Sequence, residues 1–274
     1  MVKVGVVGCR LMGAGIAEVS ARSDLDVVVI ESDRAAADAG RARLEHSLAR
    51  AEAKGKITCA AEVMAHVRVV VDLNELADRD VVVEAIAENE QAKTELLIAV
   101  DKIVESPDAI IASNTPSIPI MKLGSSPLVR QCDRHPLLQP GTGPAVGGTS
   151  PETMARARAF VEGALGKKAI DCQDRAGFVV NALLIPFVLS AIRMLESGFA
   201  TAEDIDRGLV LGAAHPQGPR ALVDLIGLDT TKAVAESLYE EFKEPLYASP
   251  PLLNRMVDAG LFGRGFHTYQ WTPR

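Results

Sequence analysis

Val2-Lys3-Val4-Gly5-Val6-Val7-Gly8-Cys9-Arg10-Leu11-Met12-Gly13, followed by Asp26-Val27-Val28-Val29-Ile30-Glu31, decides the fold of this chain. The first apolar run is too short for a helix and stops at a glycine, as a strand buried on both faces does. Residues 11–22 have helical spacing, and the second apolar run stops at an acid. Strand, glycine turn, helix and strand make a βαβ unit. A dinucleotide-binding turn of this kind places glycine at its first, third and sixth positions. The first allows the tight turn, the second admits a pyrophosphate to the backbone, and the last lets the helix pack on the strand. Gly8 and Gly13 fill the outer places. Arg10 stands in the middle one, where a side chain crowds the pyrophosphate while its charge offsets part of that loss. Glu31, at the end of the second run, is placed for ribose hydroxyls, and its charge favours NAD over a 2′-phosphorylated cofactor. A sheet of this type that binds no dinucleotide is the alternative that Arg10 leaves open.

The same alternation continues outward. Residues 35–54 have helical spacing. Apolar runs at 67–71, 81–85 and 109–112 are expected strands, with a helix at 90–106 between the last two. The pattern predicts a doubly wound parallel sheet. Residues 124–148 hold Gly and Pro without periodicity. A helix is expected at 151–165 and a final strand at 168–172. Beyond 177 the spacing is helical only, with candidate helices at 177–196, 202–210, 221–243 and 250–260. The expected architecture is therefore α/β. A Rossmann-type domain occupies residues 1–175, and an all-helical C-terminal domain occupies 176–274.

The chain has 274 residues, enough for two domains, with 48% apolar and 24% charged residues. A net charge of −7 argues against nucleic acid or an anionic membrane as the main partner. Cys9, Cys59, Cys132 and Cys172 form no paired or metal-ligand spacing, which suggests reduced thiols, no metal and a cytoplasmic setting. The N-terminus runs into a strand with no signal-peptide pattern. The most apolar stretch, 178–194, is interrupted by Asn181, Pro186 and Arg193 and is expected to be a buried helix rather than a membrane span.

Several later segments carry a specific likeness. They are Val83-Glu84-Ala85-Ile86-Ala87-Glu88-Asn89, Ala112-Ser113-Asn114-Thr115, and Asp174-Arg175-Ala176-Gly177-Phe178-Val179-Val180-Asn181. Ala202-Glu203-Asp204-Ile205-Asp206, His215-Pro216-Gln217-Gly218-Pro219 and Gly227-Leu228-Asp229-Thr230 complete the set. Over nearly its whole length the chain resembles the 3-hydroxyacyl-CoA dehydrogenase family, and within it the bacterial 3-hydroxybutyryl-CoA dehydrogenases. The resemblance implies NAD-dependent interconversion of a short 3-hydroxyacyl-CoA and its 3-oxo thioester. It also implies Glu88 and Lys93 near the nicotinamide ribose, Ser47 and Lys54 near the CoA, Asn181 in the catalytic site, and a homodimer formed through the helical domain.

The chain departs from the family pattern in places. Where the family has Ser-Asn-Thr-Ser-Ser, this chain has Ser113-Asn114-Thr115-Pro116-Ser117, and Pro116 removes a hydroxyl. The family's catalytic His-Phe-Phe-Asn-Pro is replaced by His135-Pro136-Leu137-Leu138-Gln139-Pro140, which leaves His135 as the candidate general base. A longer C-terminal motif is shortened to Gly263-Arg264-Gly265-Phe266, without a Lys associated with the cofactor. With suitable synonymous codons, residues 133–148 read one base later spell Ile-Gly-Ile-His-Phe-Phe-Asn-Pro-Val-Pro-Val-Leu-Pro-Leu-Val-Glu. That segment has both the His and the Glu of the family's acid–base pair. One inserted and one removed base likewise convert Gly-Cys-Arg-Leu to Gly-Ala-Gly-Leu. The alternative function is therefore a catalytically impaired relative, a folded binder of cofactor or thioester, whose His–Glu segment was lost by a local frame slip at about 124–148.

Overall fold

Valine-rich runs that cannot face water on either side stack into one parallel sheet. In the computed structural model, which describes residues 1–125, 137–138, 151–170 and 172–262, the strands are β1 (Lys3–Val7), β2 (Asp26–Ile30), β3 (Val67–Val70), β4 (Val81–Glu84), β5 (Ile110–Ser113) and β6 (Leu137–Leu138). Their order is β3-β2-β1-β4-β5-β6. The order reverses between β1 and β4, which opens a crevice at the carboxyl ends of those strands. Register sets what lies along that edge. Val7 pairs with Ile30 on one side and Glu84 on the other, and Glu84 pairs with Ser113. Gly8, Glu31, Glu84 and Ser113 therefore reach the same end of the sheet.

The connecting helices are α1 (Leu11–Ala21), α2 (Arg34–Ala53), α3 (Ala60–Ala65), α4 (Glu90–Ile103), α5 (Ile120–Ser125) and α6 (Pro151–Arg158). Side chains start two of them. Asp33 accepts the Ala36 N–H at 2.9 Å for α2, and Asn89 accepts the Ala92 N–H at 2.9 Å for α4. The Asp174 carboxylate accepts the N–H groups of Ile120 and Met121 at 2.7 and 2.5 Å, fixing the start of α5. The core beneath α1 and α2 joins Val4, Val6, Val27 and Val29 to Ala17, Leu44 and Leu48, all fully buried.

Two expectations for this part of the chain are corrected. No strand forms at 168–170 or at Cys172: Lys168 and Ile170 are exposed, and the Ala169 N–H turns to Glu162 Oε1 at 3.3 Å. An inner strand needs both faces covered, and the edge position goes to β6 instead. The helix expected at 151–165 is α-helical only through Arg158 and continues as a π-helical turn over Ala159–Ala164.

The chain divides into two units, Met1–Arg175 and Ala176–Arg274. Described elements of the second are α7 (Val180–Glu196), α8 (Ala202–Ala213), α9 (Pro219–Ile226), α10 (Leu228–Phe242) and α11 (Pro251–Asp258). They close over Ile185, Val188, Leu189, Leu238 and Leu253. The single helix expected at 221–243 is two helices, because Gly227 adopts φ +100°, and a β-carbon there would meet Asp229 Oδ1 at 2.8 Å. Asp206 of α8 accepts the N–H groups of Arg220 and Ala221 at 2.8 and 3.2 Å. The Asp-Ile-Asp and Gly-Pro segments singled out above are therefore a helix cap and its socket. Among the described residues no helix is long and apolar enough to cross a membrane.

Candidate functional site

The turn after β1 is built as a dinucleotide turn requires, with one exception. Gly8 has φ +95°, and a β-carbon on it would lie 2.7 Å from the Ala85 carbonyl oxygen. A β-carbon on Gly13 would lie 1.9 Å from the Gly8 carbonyl oxygen, so α1 packs directly on the turn. Arg10 precedes α1 with no side-chain cap, and the first turn of α1 carries no acid. The N–H groups at this helix start thus face no anion of the same turn, which suits a phosphate. The Arg10 side chain is exposed. Replacing it by glycine clears the pyrophosphate approach, and we expect Arg10→Gly to tighten NADH about 10-fold. Fluorescence titration of both proteins measures this, and equal or weaker binding by the glycine variant contradicts the crowding argument.

Two side chains hold the backbone of Cys9. Glu31 accepts its N–H at 2.5 Å, and the Arg43 guanidinium donates to its carbonyl. The thiol itself is buried. Burial first, and the Glu31 charge second, push it up to about 11 against a smaller opposing effect of Arg43. Near neutral pH it is a neutral packing group.

Across the crevice, past the end of β4, two carboxylates surround one ammonium. Lys93, from the first turn of α4, is 0% exposed. Its Nζ donates to Glu84 Oε1 at 2.6 Å and lies 3.4 Å from Glu88 Oε2. Glu84 Oε1 also accepts the Ile86 N–H at 2.7 Å, and its Oε2 accepts the Ser113 hydroxyl at 2.5 Å. Glu88 Oε1 accepts the hydroxyls of Thr115 and Ser117 at 2.5 and 2.8 Å. Glu88 Oε2 is buried with no hydrogen-bond donor among the described residues. A buried acceptor without a donor is rare in a finished fold, and a ligand hydroxyl would supply what is missing. The turn, the open helix start, Glu31 and this oxygen together fit a dinucleotide. Among the described residues no cluster of His, Cys, Asp or Glu is suited to a metal ion.

Comparison with known proteins identifies the lineage. The profile of the 3-hydroxyacyl-CoA dehydrogenase, NAD binding domain, matches residues 3–175, and that of the 3-hydroxyacyl-CoA dehydrogenase, C-terminal domain, matches residues 177–268. The chain belongs to the 3-hydroxyacyl-CoA dehydrogenase family. The 3-hydroxybutyryl-CoA dehydrogenase of Mycobacterium tuberculosis is 47% identical over 97% of this chain and 98% of its own. The crystal structure of M. tuberculosis FadB2 superposes with a TM-score of 0.88 at 45% identity, covering 99% of this chain and 98% of that one. The (S)-3-hydroxybutyryl-CoA dehydrogenase PaaH1 of Ralstonia eutropha gives 0.79 at 38% identity, with 96% and 95% covered.

The other candidate residues of this family member are placed as follows. Ser47 lies on α2, and Lys54 immediately follows its last turn. The Ser47 hydroxyl is turned to Glu18 Oε2 of α1 at 2.6 Å, while Lys54 is exposed at the end of the helix. Asn181 lies in the first turn of α7, half-buried, in the second unit. His135 lies outside the described residues, as do 263–266. Two other histidines are occupied elsewhere: His66 Nε2 is 3.6 Å from Asp24, and His215 packs on Phe187 with ring centres 5.3 Å apart. Sequence reasoning missed Glu84, Thr115 and Ser117 as parts of the site. Glu84 had a signal, being the one charge that ends an otherwise all-valine strand.

Proposed function

We propose that this chain interconverts a short 3-hydroxyacyl-CoA, such as 3-hydroxybutyryl-CoA, and its 3-oxo thioester with NAD. The observation that carries the reading is the crevice itself, with Glu31 at one end and the unsatisfied oxygen of Glu88 at the other, in a chain of this family. NAD, when bound, would supply the hydride acceptor or donor for C3 of the substrate. Gly8, Gly13 and the start of α1 receive the pyrophosphate. Glu31 takes the adenosine ribose, and Glu88, backed by Lys93, takes the nicotinamide ribose. The Asn181 amide holds the substrate oxygen, Ser47 and Lys54 serve the CoA, and His135 is the candidate for the hydroxyl proton.

We place the enzyme in the cytoplasm as a homodimer formed through its second unit. Free thiols at Cys9 and Cys59 suit the compartment. Phe199, Leu211 and Leu183 of the second unit, exposed at 78%, 77% and 74%, suit an interface. The test of function is consumption of NADH by the purified chain with acetoacetyl-CoA. The expected result is a slow loss of NADH absorbance that depends on the thioester. No thioester-dependent loss at high enzyme concentration, together with no binding of NADH, overturns the reading.

A further inference from the structure

We infer that Glu84 is a positioning residue that reserves Glu88 Oε2 for the nicotinamide half of the cofactor. The inference rests on the proposed function, since it assigns a task inside that site. Glu84 is 1% exposed and forms hydrogen bonds to three partners. It binds the loop after β4 through the Ile86 N–H, β5 through Ser113 and α4 through Lys93. A buried ammonium must sit against an anion, and two are within reach of Lys93. It takes the nearer position on Glu84, at 2.6 Å, and stands 3.4 Å from Glu88. Thr115 and Ser117 occupy the other oxygen of Glu88. The carboxylate therefore presents one oxygen that no hydroxyl or amide of the described protein occupies.

That arrangement depends on competition. Were Glu84 unable to hold the ammonium, Lys93 would close on Glu88 and take Oε2 as its acceptor, leaving a ribose hydroxyl without one. Glu84 needs no contact with the cofactor to have this effect. The dinucleotide crevice separates the two halves of the ligand in space, with the adenosine half over the β2 side and the nicotinamide half over the β4 side. A defect confined to Glu88 therefore affects one half only, whereas a general loosening of the sheet affects both.

The experiment compares Glu84→Gln with the unaltered chain, titrating NADH and, separately, ADP, which probes the adenosine half alone. Melting temperatures are recorded for each protein so that titrations stay well within the folded range. The expected result is NADH weaker by about 10-fold and ADP changed less than about 2-fold. Should Glu84→Gln fail to fold, Ser113→Ala removes only the hydroxyl on Glu84 Oε2, and the expected NADH weakening is about 3-fold, again with ADP unchanged. NADH and ADP weakening together, or NADH unaffected in a folded variant, overturns the positioning role and leaves the proposed function standing. An unaltered chain that binds ADP but not NADH, or neither, overturns both.

Discussion

Replacing residues 133–148 with the shifted-frame segment that contains His-Phe-Phe-Asn-Pro and its Glu is expected to raise turnover of acetoacetyl-CoA by about 10²–10⁴-fold. Hydride arriving at C3 of the 3-oxo thioester needs a proton delivered to the oxygen at the same time, and a histidine oriented by a carboxylate can give that proton in reduction and take it back in oxidation. In this chain His135 is followed by Pro136 and lacks that carboxylate partner in the sequence. The increase should appear in the rate, with NADH affinity little altered, because Glu31, Glu88 and the glycine turn lie in other segments. Steady-state rates with saturating NADH for the two proteins decide the matter. Equal rates would show that His135 or another group already serves as the base.

Lys93→Met should destabilise the first unit by about 3–5 kcal/mol. Methionine fills similar space but leaves Glu84 and Glu88 as buried anions without their cation, and the desolvation cost of each is then unmatched. A fall in melting temperature of roughly 10 °C follows for a unit of this size. Double substitution sharpens the prediction. With Glu84→Gln also present, one of the two anions is gone, so the combined loss should be clearly smaller than the sum of the single losses. Strict additivity in urea unfolding would mean that the three groups are not energetically coupled, and the cluster would then be no more than a set of neighbours.

The sheet was legible because its strands are short β-branched runs. The run at 26–30 coincides with β2, and the run at 67–71 is one residue longer than β3 because Val71 is half-exposed. The glycine turn was legible through residue types that have few other uses in that order. The charged cluster was not, because a buried lysine and a buried glutamate look like surface residues until their partners are known. Lys93 and Glu84 are nine residues apart in the chain, while Glu88 meets its hydroxyl partners 27 and 29 residues downstream. Register between β4 and β5 brings those segments together, and no local pattern records it. The break at Gly227 was missed for a related reason. Apolar spacing runs through it, and only the positive φ stops the helix. Residues 168–170 belong to a run with the composition of a strand, but Lys168 and Ile170 lie exposed with no layer to cover them.

Gly40 of α2 lies against Cys9, where a β-carbon would come within 2.8 Å of the Cys9 β-carbon and 3.1 Å of its sulfur. The two positions share one small volume, and at present the turn has the sulfur and the helix has nothing. In the descent of this lineage they should therefore drift as a pair, with growth at position 40 admitted only in chains that have first trimmed position 9.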